Sequence, residues 1–200
     1  MSTLIFRLGC LCLMFTAILF PGIVSAAESL LPAWAETAVG MAEADFVSNH
    51  PDFTVVMPER NQEKLGTKKA PHALWGANFI LLKDGKVDAV SLGAMDFINA
   101  KTEAKKVLAE LTGRYGEPAK ISQVTIDPTI VPDAKGYALE WVNDKQNIIL
   151  TVGPFPQTTP NFQLQVIFCA NRPNSSFVIR EALSPAEQSK AYRQITDFFR

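Results

Sequence analysis

The chain is short of the residues that usually do chemistry. It holds two histidines and three cysteines in 200 residues. Cys10 and Cys12 fall in the first 26 positions, so only Cys169 lies beyond them. An exported form then has no internal disulfide, and its core must hold the fold alone. Neither His50 nor His72 stands at ligand spacing from the other or from Cys169, which excludes an ordinary zinc site. Phosphate-binding loops, dinucleotide glycine motifs, zinc-protease histidine pairs and nucleophile elbows are all missing. No sign of charge dominates: 19 basic residues face 20 acidic ones. That balance gives no field to draw in nucleic acid or an anionic membrane. No second long apolar run follows the first one, so no transmembrane span is expected beyond it. Nothing implies a cofactor or a metal.

What is present is globular composition, with 48% hydrophobic and 20% charged residues. The first 26 residues stand apart. Arg7 is their one charged side chain, Leu8 to Leu19 is nearly all apolar, Pro21-Gly22 breaks the run, and Val24-Ser25-Ala26 is small. A basic start, a short apolar stretch and a small-residue site define a secretory signal peptide, cleaved near Ala26. Leu8-Gly9-Cys10 precedes the apolar region instead of following it, which excludes lipidation. The expected division is a signal peptide over 1–26, a flexible leader over 27–36, an α+β domain over 37–183, and a C-terminal helix over 184–200 docking on that domain. The expected location is periplasmic or secreted.

Along the mature part, a helix is expected over Met41–Asn49, ended by His50-Pro51, because the residue before proline avoids the helical region. "DFTVVM" (52–57) reads as a short strand, and the polar, proline-containing 58–73 as a loop. In "GANFILLKDGKVDAVSLGA" (76–94) two apolar runs flank Asp84-Gly85, the pair favoured in two-residue hairpins. The register then sets Lys83 opposite Lys86, Leu82 opposite Val87 and Phe79 opposite Val90. Ala104, Val107, Leu108, Leu111 and Tyr115 recur at helical spacing, and Gly116 with Pro118 closes that helix. Alternating runs follow at 121–126, 136–142, 147–152 and 161–170. In the last of them Phe162, Leu164, Val166 and Phe168 share one face, and Gln163, Gln165, Ile167 and Cys169 the other. Ser184-Pro185-Ala186-Glu187 is a capping box that opens a final helix, with an apolar stripe of Ala191, Tyr192, Ile195, Phe198 and Phe199. The fold class expected is α+β: an antiparallel single-layer sheet of about five or six strands, with helices on one face.

"VGMAEADF" (39–46), "VLAELTGRYGEP" (107–118) and a following strand with Trp141 resemble small exported bacterial modules of the beta-lactamase-inhibitor-protein-like type. The resemblance spans about residues 37 to 170. It implies helices packed on an antiparallel sheet, and modules that bind proteins or serve envelope structure more than they catalyse. Ala42 stands where that family commonly has Ser or Thr, and the inhibitors' paired cysteines are absent.

For chemistry, His50 beside Asp52 offers an acid–base pair or a histidine settled at a helix end. His72 follows a basic loop. Cys169 ends a strand as a small buried thiol or a nucleophile. Asn174-Ser175-Ser176 is a glycosylation sequon that the leader gives no reason to use. None of these is taken as catalytic. The surfaces expected to bind are the sheet face of Glu140, Gln163 and Gln165, with the loops carrying Trp75 and Phe155. The expected function is an exported, non-catalytic module that binds another periplasmic or envelope protein. The alternatives are capture of an apolar small ligand, suggested by 13 phenylalanines, and an enzyme with an unrecognised site.

Overall fold

Asp84 and Gly85 turn the chain at φ of 51° and 71°, the left-handed pair that a two-residue hairpin requires. The strands on either side are β3 (Ala77–Lys83) and β4 (Lys86–Gly93) in a computed structural model. It describes residues 29–69, 72–94, 100–124, 135–155, 163–171 and 180–200. The signal-peptide segment, Phe162 and the sequon at Asn174 lie outside these. Lys83 faces Lys86 and Leu82 faces Val87, but Phe79 faces Ser91 and not Val90. A bulge explains the slip: Leu81 pairs with Ala89, so Asp88 is the extra residue and every later pair moves by one.

The remaining strands are β1 (Thr54–Arg60), β2 (Glu63–Thr67), β5 (Lys120–Val124), β6 (Lys135–Val142), β7 (Gln146–Phe155), β8 (Gln163–Ala170) and β9 (Arg180–Ala182). The helices are α1 (Ala33–Ala38), α2 (Glu43–Asn49), α3 (Ala100–Tyr115) and α4 (Pro185–Phe198). One antiparallel sheet runs in the order β1-β2-β3-β4-β8-β7-β6-β5-β9. The expectation of five or six strands packed on helices is therefore overturned. Nine strands make 43% of the structure and four short helices 31%. The strands that escaped notice are peripheral. β2, "EKLGT", has one large apolar residue, too few to distinguish it from the loop expected over 58–73, and β9 has three residues, too few to show a period.

One core cluster joins all four helices to the sheet. Ala35, Phe46, Val107, Leu111 and Ile195 pack there with Ile80, Val90, Leu139, Ile148, Leu150 and Phe168, all at 0% exposure. Each large side chain buried this way contributes roughly 1.5–3 kcal/mol. The other side of the sheet carries a smaller cluster made of strand residues alone: Ala89, Ala138, Ile149, Ile167 and Cys169. Gly116 ends α3 at φ 78°, and its carbonyl accepts from Trp141 Nε1 at 2.8 Å. The capping box of α4 is formed by Ser184 and Glu187. Gln188 of that helix accepts the Ile121 backbone N–H at 3.0 Å, which ties α4 to β5.

The leader expected over 27–36 is also corrected, for the part described. Leu30 and Leu31 are 8% and 1% exposed. The Leu30 N–H donates to Glu110 Oε2 at 3.0 Å, and Arg114 reaches Glu36 at 3.4 Å. Two leucines and the small face of Ala35 and Ala38 give this segment enough apolar surface to join the core, with α1 against β4.

Candidate functional site

The expected binding face does not stand open. Glu140 is 8% exposed, and Gln165, half-buried, donates to Ser91 Oγ at 2.9 Å. Only Gln163 is exposed. Trp75 is 0% exposed, and its indole N–H donates to the Leu30 carbonyl at 2.6 Å. It is a core residue, corrected from a loop contact; its bulk and single polar atom were both satisfied inside. Phe155 is the last residue of β7, opposite Lys135, and its side chain lies outside what is described. Cys169 is buried, with Sγ 3.6 Å from the Asn147 carbonyl. These residues do not converge on a site.

His50 and Asp52 do lie together, but as part of a packed cluster at the base of β1. The His50 ring lies tilted against its neighbours, its centre 4.5 Å from that of Phe46 and 5.6 Å from that of Trp34. Lys68 sits 4.4 Å above the Trp34 ring and 3.3 Å from Asp52 Oδ2, and the Lys69 backbone N–H donates to the same oxygen. Burial lowers the His50 pKa, Lys68 lowers it further, and Asp52 opposes both. Burial pushes the Asp52 carboxyl upward, but the hydrogen bond and charge of Lys68 hold it below its ordinary value. Lys68 thus takes the carboxylate that an acid–base pair would need for orienting His50.

At the opposite end of α2 a polar cleft of about 450 Å³ opens between two hairpin turns, lined by Glu43, Glu59, Gln62, Lys64, Leu82 and Asp84. Lys64 Nζ lies 2.8 Å from Glu43 and 3.4 Å from Glu59. The hydrogen bond that Lys64 donates to Glu43 raises the Lys64 pKa above its ordinary value. A lysine held protonated is a tie between α2, β1 and β2, and is no nucleophile. Among the described residues no group of three or more His, Cys, Asp and Glu could hold a metal ion.

What the cluster and the cleft position is the edge strand. Phe53 packs edge-on against Phe46 at 5.5 Å and lies across Gly66 of β2, where a Cβ would stand 2.1 Å from the Phe53 ring. The chain is pinned there and then leaves the core: all seven residues of β1 are exposed. Val55, Val56 and Met57 are 45%, 48% and 59% exposed, half of the six large apolar side chains exposed in the described residues. β1 pairs only with β2, and the ladder is irregular between Val55 and Met57 and again before Arg60. Asn61 and Gln62 close the hairpin at φ of 53° and 64°. The sequence marked the strand, since Val-Val is β-branched. It could not show which sheet edge the strand would occupy, and the Asn61 turn was hidden by a residue pair other than Asn-Gly.

The chain matches no protein-family model, no curated protein and no solved structure. Among the described residues no helix is long and apolar enough to cross a membrane.

Proposed function

We propose that the protein is a non-catalytic binding module that works after export, in the periplasm or outside the cell, and associates with an extended segment of a polypeptide through β1. The observation that carries this is the fully exposed edge strand with its Val55-Val56-Met57 run. An edge strand offers a row of backbone donors and acceptors, and apolar side chains on it favour addition of another strand. Pro58 and the two ladder irregularities limit the usable stretch to about the first four residues. A bilayer is a poorer occupant, because an open sheet edge cannot satisfy its backbone groups in hydrocarbon. The Arg7-led apolar run supports export, and the resemblance to exported inhibitor-like modules supports binding over catalysis. The layer between sheet and helices is filled by the core's own side chains, which does not favour the apolar-ligand alternative.

A photo-cross-linking residue placed at Met57 tests the reading in cells that export the protein. A discrete polypeptide adduct at Met57, absent when the same probe replaces exposed Lys145, is expected. Equal labelling at both positions, or none at either, would sink it.

A further inference from the structure

Resting on the export half of that reading, we infer that docking of Ser29–Leu31 closes the leader's cleavage site, so that the leader is removed before the domain folds or is kept. Ala27 and Glu28 alone separate the bond after Ala26 from Ser29. Two residues at full extension reach about 7 Å. From Ser29 onward the chain is held. The Ser29 hydroxyl donates to the Leu31 carbonyl at 2.7 Å and accepts from Arg114 Nη2 at 2.9 Å. The Leu30 N–H is taken by Glu110, and the Leu30 carbonyl by the Trp75 indole. Both leucines are buried.

A protease that seats its substrate as an extended strand pairs with that strand's backbone groups. Those of Leu30 are already engaged, and the body of the domain begins two residues from the bond to be cut. Cleavage adds one water across that amide: Ala26 leaves as a carboxylate, and the nitrogen of Ala27 becomes the new ammonium. In the unfolded chain nothing holds Ser29, Leu30 and Leu31, and the bond is open. In the folded chain the protease must wait for the segment to lift off, so its rate falls to the fraction of molecules open at that moment. Lifting off breaks both Leu30 hydrogen bonds and returns two leucines to water, which keeps that fraction small. Folding is thus the switch. A chain cut first docks a free end, and a chain folded first keeps its Leu8–Leu19 run.

The test gives the full 200-residue chain, refolded in detergent, to a purified bacterial signal peptidase and follows loss of the leader by gel and N-terminal sequencing. Folded wild type is expected to be cut at least about tenfold more slowly than a variant with about eight Gly and Ser residues inserted between Glu28 and Ser29. The insertion adds reach and leaves every docking contact in place; equal melting temperatures for the two tie the difference to reach and not to unfolding. Glu110→Ala, which releases the Leu30 N–H, should be cut at a rate between them. Wild type added from urea should be cut fast, with Ala27 as its new first residue. Equal rates for the folded wild type and the insertion variant overturn the proposal, and so does resistance of both while the chain added from urea is cut. In either case cutting after Ala26 leaves the export reading standing. If no form loses its leader, both fall.

Discussion

β1 and β7 belong to one sheet and use similar residues, yet they live in opposite surroundings. β7 lies between β6 and β8, and its Ile148, Ile149, Leu150 and Val152 are all 0% exposed. β1 has one neighbour and no residue below the exposed class. Strand formation is set locally by β-branched residues. Burial is set by whether a partner is supplied on both sides and a helix above. The difference teaches that the same kind of apolar strand is core in one place and exposed to solvent in the other.

Several substitutions would break or sharpen that contrast. The largest effect is expected at the centre. Leu150→Ala should cost about 2–5 kcal/mol, the range for buried leucines truncated to alanine. Val56→Ala should change stability by less than about 0.5 kcal/mol, as surface substitutions usually do. Chemical denaturation of both variants measures the gap; a Val56→Ala loss as large as that of Leu150→Ala would show β1 to be covered.

Gly66→Ala tests the seam between the two regions. A Cβ there meets the Phe53 ring at 2.1 Å, so the ring must leave its place against Phe46. A loss of about 1–3 kcal/mol is expected, and Phe53→Ala in the same chain should remove most of the extra cost. Independent, additive losses would show that the ring was never the obstacle.

At the other end of the sheet, Ser184→Ala removes the cap of α4, the helix that holds β5. It should cost about 1 kcal/mol, with hydrogen exchange rising first at the Ile121 amide bound by Gln188. Unchanged exchange at Ile121 would mean that α4 does not depend on its cap.

The smallest effect belongs to pH at the base of β1. The folded state holds the His50 pKa below its ordinary 6.5, so the unfolded chain binds the extra proton first. Stability contributed by neutral His50 is full above 6.5 and is lost as pH falls below it. Asp52, also lowered, contributes above its ordinary 3.8 and is lost only in stronger acid. His50→Gln should flatten the stability profile between roughly pH 7 and 5; an unchanged slope would place the titrating group elsewhere.

Much of this architecture was legible because it is local. Asp84-Gly85 announced its hairpin, the Ala104–Leu111 stripe its helix, and Ser184-x-x-Glu187 its cap. What stayed hidden depends on residues far apart in the chain. Asp88 becomes a bulge only against Leu81. Leu30 and Leu31 read as leader until Trp75 and Glu110 receive them. Glu140 looked like a wet-face residue, since alternation gives the side of a strand but not what lies over it. The exposed edge was illegible for the same reason: "TVVM" carries the same pattern whether or not another strand lies beside it.

Glu110 takes the amide of Leu30 from eighty positions earlier in the chain. A polypeptide made from its N-terminus releases Leu30 long before its acceptor exists. The first piece of the domain to appear is thus among the last to settle, and closing so long a loop is slow compared with forming either hairpin. Until α3 arrives, Leu30 lacks this partner at the start of the folded domain, where a chaperone would have the longest time to hold it.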